Sequence, residues 1–157
     1  MTVYAKDIMV ASFEKVHENA PVKEAIQLIL NGKVRETGYK SISLVVVNGY
    51  KHLAGVVTMY DILYHLRPEF LNYGISADQL SWSGQLKNCI DILNDKKVKQ
   101  VMSKTVVGAS GDEHIMVILD RMIKHKYRRL PVLENNRPIG VIYMSDIYCR
   151  IFKKSLV

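Results

Sequence analysis

The sequence predicts a mixed α/β (α+β) fold made from two copies of one β-α-β-β-α unit, and three observations predict it. A seven-residue corner, Gly55-Val56-Val57-Thr58-Met59-Tyr60-Asp61, returns as Gly140-Val141-Ile142-Tyr143-Met144-Ser145-Asp146. An apolar helical face recurs position by position at a constant offset, which marks an internal repeat more strongly than either helix alone. Turn signals between two β-branched runs precede each corner.

Taken in order, the opening segment Ala5-Lys6-Asp7-Ile8-Met9 has a counterpart in Lys99-Gln100-Val101-Met102-Ser103. Each leads to an expected helix cap, Asn19 and Asp112, whose side-chain oxygens suit the free amides of a first helical turn. Behind them Val22, Ala25, Ile26, Ile29 and Leu30 share one helical face, and Ile115, Ile118, Leu119, Met122 and Ile123 fill the same five places. A polar loop over 31–38 leads to a strand over Ile42–Val47. Asn48-Gly49 then supplies a hairpin turn, because both residues tolerate positive φ. The returning strand is Leu53–Val57; in the second copy the strands are Arg129–Leu133 and Ile139–Tyr143, turning at Glu134–Arg137. Boundaries follow at 1–66 for the first repeat, 67–97 for a connection and 98–157 for the second.

Within the connection, Pro68 ends the helix begun at Asp61, since proline disfavours helical geometry in the residue before it. A short amphipathic helix is expected over Gln85–Leu93, with Leu86, Cys89, Ile90 and Leu93 on its apolar face. Trp82, the only tryptophan, is expected to anchor the connection onto the body through burial.

A chain of 157 residues with 48% hydrophobic and 24% charged residues has the composition of a globular domain with a core of its own. No apolar run reaches the ~18–20 residues of a membrane span, and the N-terminus lacks a leader pattern, so a cytoplasmic location is expected. Cys89 and Cys149 are too few for a disulfide framework and too distant for a Cys-x-x-Cys pair. The net charge of +7 favours anionic partners. The basic groups at 96–99, 124–129 and 153–154 are nevertheless short. Catalytic signals are absent: the five histidines show no metal-ligand spacing, neither cysteine has a neighbouring base, and no glycine-rich phosphate-loop pattern occurs.

Two repeats closing on Gly-x-x-(Thr)-x-x-Asp, with Asp-Ile-Met at the start and Arg-Arg-Leu-Pro-Val before the second corner, resemble the tandem CBS domain family, named after cystathionine β-synthase. The likeness runs from Val3 to about Phe152. It implies two repeats packed about a pseudo-two-fold axis, with two clefts that in the family commonly take AMP, ADP, ATP, S-adenosylmethionine or a nicotinamide dinucleotide. It also implies a sensor needing no cofactor, with no catalytic or metal residues, that pairs into homodimers and signals to an effector protein.

The residue chemistry agrees. Gly55 and Gly140 suit points where a ligand or another strand approaches the backbone. Thr58 offers a hydroxyl beside helix amides that hold phosphate, and Asp61 can accept from the two vicinal hydroxyls of a ribose. Aspartate before an apolar helical run is equally an N-cap, and for Asp61 and Asp146 both roles stand open; the resemblance tips Asp61 towards ligand. Tyr143 replaces the family's threonine or serine, and its volume leaves three outcomes: stacking on a base, occluding the cleft or joining the core. Arg128 and Arg129 are the best phosphate partners, because guanidinium forks match phosphate oxygens. Strand alternation is expected to turn only one of them to a cleft. Lys40 and Ser41 are taken as their first-repeat equivalents. By the resemblance, Ser43 and Pro131 mark strand backbone that reads an adenine edge.

The expected site therefore joins Thr58 and Asp61 with Arg128 or Arg129, and the leading expectation is a non-catalytic adenine-nucleotide sensor. Nucleic-acid binding by the basic surface and a ligand-free dimerising adaptor are the alternatives.

Overall fold

A computed structural model of the chain describes residues 2–104 and 107–155; the ends of the expected repeats at 1, 156 and 157 lie outside the described residues. The elements run α1 (Ala5–Ile8), β1 (Lys15–His17), α2 (Val22–Leu30), β2 (Ser43–Val47), β3 (Leu53–Thr58), α3 (Met59–Leu66), α4 (Gln85–Asp95), β4 (Ala109–Ser110), α5 (Ile115–His125), β5 (Arg129–Glu134), β6 (Arg137–Tyr143) and α6 (Met144–Ser155). The β-α-β-β-α order of both repeats is as expected, and two three-stranded sheets result, β1-β2-β3 and β4-β5-β6. In each the first pair is parallel and the second antiparallel.

The opening segments change places. Ala5 and Ile8 are buried with Ile115, Ile118, Leu130 and Ile142 of the second repeat, while Val98 and Val101 are buried with Val22, Leu44 and Val57 of the first. Backbone bonds fix the exchange symmetrically. Val10 and Val141 bond each other's main chains, as do Ser103 and Val56.

This exchange corrects the expected caps. The Val22 amide donates to Lys96 O at 2.7 Å and the Ile115 amide to Val3 O at 2.9 Å, so the crossing segments already satisfy the first amide of α2 and α5. Pro21 and His114 hold the N-cap positions, with His114 Nδ1 accepting from the Met116 amide. Asn19 instead donates its own amide to His17 Nδ1, and Asp112 pairs with Lys6.

Of the two expected helical faces, Val22, Ala25 and Ile29 are buried, as are Ile115, Ile118 and Met122, but Leu30 and Ile123 are exposed. In the first hairpin positive φ falls on Lys51, not on Asn48 or Gly49. Asn48 shapes the turn through Oδ1, which accepts from the Tyr50 and His52 amides. The second turn places Asn135 and Asn136 at positive φ, the primed turn that matches strand twist. α4 forms where expected, yet only Leu93 of its predicted face is buried; Leu86 and Ile90 are exposed. Trp82 is half-buried and donates its indole N–H to Ala77 O, a bond within the connection.

The sheets meet through Val45, Val141 and Tyr143, flanked by Val10, Phe13, Val47 and Leu53. On the second unit's surface Arg121 Nη2 donates to Glu113 Oε2 at 2.5 Å and the Ser110 amide to Glu113 Oε1 at 2.9 Å. The hydrogen bond from Arg121 holds the Glu113 carboxyl below its ordinary range, against a smaller opposing effect of burial. A lowered carboxyl pKa stabilises the fold above the unfolded value, and the contribution disappears as pH falls through the folded value. Glu113→Gln is expected to cost about 1 kcal/mol at pH 7, the scale of a surface pair, and nothing well below the carboxylate range. Urea midpoints at pH 7 and pH 3 check this.

Candidate functional site

Each corner is a strand running directly into a helix. At the first, Thr58 is the N-cap of α3: its Oγ1 accepts from the Asp61 amide at 3.1 Å, and Asp61 Oδ2 accepts from the Thr58 amide at 2.9 Å. This reciprocal capping box settles the local role of Asp61, which sits three residues inside the cap and not at it. The bonds from the Thr58 amide and hydroxyl both fall on Oδ2. Among the described residues Oδ1 accepts no hydrogen bond and no ion pair reaches Asp61.

At the second corner Asp146 is buried and fully engaged. Arg35 Nε donates to Oδ2 and Arg35 Nη2 to Oδ1, each at 3.3 Å, and Thr37 Oγ1 donates to Oδ1 at 3.0 Å. The Arg35 guanidinium lies 3.8 Å from the centre of the Tyr143 ring. Tyr143 has therefore joined the core, between the sheets, with its hydroxyl bonded to Ser41 Oγ at 3.3 Å.

Of the two approaches expected at Gly55 and Gly140, by a ligand or by another strand, the structure shows the second, made by the opening segments. A Cβ on Gly55 would lie 2.4 Å from Ser103 O, and one on Gly140 would lie 2.6 Å from Met9 Sδ. Neither glycine is among the residues lining the cavity and the crevice described below.

A cavity of about 380 Å³ opens beside the second corner, lined by Arg35, Tyr39, Lys40, Ile42, Arg128, Arg129, Tyr143, Met144 and Ser145; Thr58 and Asp61 of the first corner are not among its lining. Two backbone bonds locate it: Ile42 O accepts from the Met59 amide at the start of α3, and Arg128 O accepts from the Met144 amide at the start of α6. Four cations and no carboxylate line it. Both arginines face it, contrary to the alternation expectation, because Arg128 precedes β5 and escapes the strand's period. Burial depresses the Arg129 pKa from its ordinary value, with Arg128 and Arg35 acting the same way against Tyr143 and Asp61.

The ladder register also corrects the expected equivalences. Ser43 pairs Thr58 as Arg129 pairs Tyr143, and Val45 pairs Val56 as Pro131 pairs Val141. Arg128 and Arg129 thus match Ile42 and Ser43, not Lys40 and Ser41, and Pro131 matches Val45. Ser43 and Pro131 still meet, with Arg129 and Tyr143, around a crevice of about 10 Å³, room for one water and not for a base.

Arg35 and Thr37 were not singled out by motif. A signal existed: Leu30 to Ser43 spans thirteen positions where Ile123 to Arg129, its structural equivalent, spans six. The first repeat carries a longer α2–β2 loop, and that loop brings both residues. Among the described residues no three His, Cys, Asp or Glu side chains converge as metal ligands, and no helix is long and apolar enough to cross a membrane.

Comparison with known proteins agrees with this geometry. The CBS domain model matches residues 5–68 and 98–153. A zinc metalloprotease of Methanocaldococcus jannaschii is 29% identical over 119 residues, which cover 73% of this chain; the chain spans 34% of that protein. The CBS domain of a CBS domain-containing membrane protein from Sphaerobacter thermophilus superposes with a TM-score of 0.70 at 21% identity, covering 94% of this chain and 86% of that one. A CBS domain pair solved in complex with 5′-methylthioadenosine and S-adenosyl-L-methionine gives 0.67 at 19% identity and covers 99% of both chains. With both repeats matched and the paired fold reproduced, the chain belongs to the CBS domain family as a tandem pair.

Proposed function

We propose that this CBS pair is a non-catalytic sensor that binds an adenine nucleotide between its repeats and passes the signal to a partner. The carrying observation is the cavity that Lys40, Arg128 and Arg129 line with no carboxylate among its walls, the Arg35 beside them being paired with Asp146. Such a lining attracts phosphate oxygens and repels a cationic sulfonium, which favours AMP, ADP or ATP over S-adenosylmethionine. In this reading the phosphates lie against Arg128 and Arg129, and the ribose hydroxyls donate to the free Oδ1 of Asp61. The base enters between Ser43 and Pro131. That crevice holds about one water, so the sheets must separate to admit adenine. A ligand that binds only the separated state shifts the population towards it, which couples occupancy to inter-repeat geometry.

The output surface we assign is the outer face of α3 and α6, where Met59, Tyr60, Leu63, Tyr148 and Phe152 are exposed. It suits a homodimer contact in a cytoplasmic setting, with an effector protein reading the change.

Calorimetric titration of nucleotide-stripped protein with AMP, ADP, ATP and S-adenosylmethionine tests the reading. Saturable binding of ADP or ATP is expected, weakened about 10- to 150-fold by Arg129→Met, the equivalent of the ~1.5–3 kcal/mol of a charge-assisted hydrogen bond. Arg129 has no ion-pair partner among the described residues, so its loss should leave stability unchanged or slightly raised. Binding untouched by Arg129→Met, or absent at millimolar nucleotide, overturns the proposal. Salt-sensitive retention of oligonucleotides would then favour a nucleic-acid role.

A further inference from the structure

We infer that Arg35 restricts this pair to a single ribose site, by standing on Asp146 where the second corner would otherwise read a sugar. Granted nucleotide binding at the first corner, on which this assignment rests, the two corners are chemically unequal. Asp61 keeps one carboxylate oxygen uncommitted. Asp146 keeps neither, since Arg35 reaches both oxygens and Thr37 adds a third bond.

A carboxylate recognises a ribose by accepting from its two vicinal hydroxyls, and the fork of Arg35 presents two N–H donors in the same manner. The guanidinium is held from every side: Tyr143 packs on its face at 3.8 Å, Ser41 Oγ accepts from Nη1 at 3.0 Å and Ser145 Oγ from Nη2 at 3.1 Å. The side chains of Arg35 and Asp146 are only 10% and 7% exposed. An incoming ribose would have to strip a buried charge of its partner, a loss that two neutral hydroxyls do not offset. The lengthened α2–β2 loop delivers Arg35 to this point, and the shorter α5–β5 connection has no segment that could do the same to Asp61.

Stoichiometry of ADP binding decides it, measured by calorimetry on protein of known active concentration. Wild type is expected to bind one ADP per chain, and Arg35→Ala/Thr37→Ala two, the second lost again when Asp146→Ala is added. Should the double variant fail to fold, Arg35→Lys keeps a cation beside Asp146 without the fork, and a second, weaker site is expected. Two sites in wild type, or one site in every variant, overturns the inference while leaving the nucleotide reading intact. No site in wild type but one in the Arg35 variant, lost with Asp146→Ala, overturns the first-corner reading and upholds the role of Arg35. Absence of binding throughout overturns both.

Discussion

Arg35→Ala is expected to lower the unfolding free energy by about 3–5 kcal/mol, the cost of removing one partner from a buried ion pair. The size follows from what is left behind. Asp146 is 6% exposed, and without Arg35 its carboxylate retains only hydroxyl donors, from Thr37 at 3.0 Å and Ser145 at 3.5 Å. The Tyr143 ring also loses the guanidinium packed on its face, and the α2–β2 loop is left holding the second repeat through the hydroxyls of Thr37 and Ser41. Removing both charges has the opposite logic. Arg35→Met/Asp146→Leu deletes the orphan together with its partner, so it should recover most of the loss, since apolar replacement of a buried pair is often neutral or better. Urea denaturation of the two variants checks this. A single variant within about 1 kcal/mol of wild type would show that the pair behaves as a surface salt bridge.

The same residues show how far the sequence could be read. The repeat, the element order and the family were legible because they rest on local patterns: the Gly-x-x-x-x-x-Asp corners, the apolar periods of α2 and α5, and Asn135-Asn136 in a two-residue turn. Thr58 and Asp61 were legible as a pair, and the capping box shows one of the two roles left open there. What lay outside the sequence was set by distant chain. Asn19 and Asp112 have good capping chemistry, but carbonyls of Lys96 and Val3, from crossing segments, take the amides they would have served. Gly55 and Gly140 signalled close approach, and the approaching group proved to be the chain itself, at Ser103 and Met9. Matching Lys40 and Ser41 to Arg128 and Arg129 failed because a loop-length difference shifts the repeat offset between helix and strand, and ladder register alone reveals it. That difference also hid Arg35, whose partner lies 111 positions away.

Ile8→Ala carries the other large effect, about 2–5 kcal/mol for truncating a buried isoleucine, and where the loss is felt tests the exchange of opening segments. Ile8 belongs by sequence to the first repeat, yet it packs with Ile115, Ile118, Leu130 and Ile142. Its neighbour Met9 fills the space beside Gly140, and Val10 bonds the Val141 backbone in both directions. A cavity at Ile8 therefore loosens the second sheet. Native-state hydrogen exchange should show β5 and β6 losing protection before β2 and β3, because regions open in cooperative units of unequal stability. Val98→Ala, the mirrored change beneath the first sheet, should reverse the order. Protection lost first in β2 and β3 on Ile8→Ala would mean that each repeat keeps its own opening segment. If the segments do cross, neither repeat can complete its core without the other. Inter-repeat geometry, the quantity a bound nucleotide would adjust, is then tied directly to the stability of both cores.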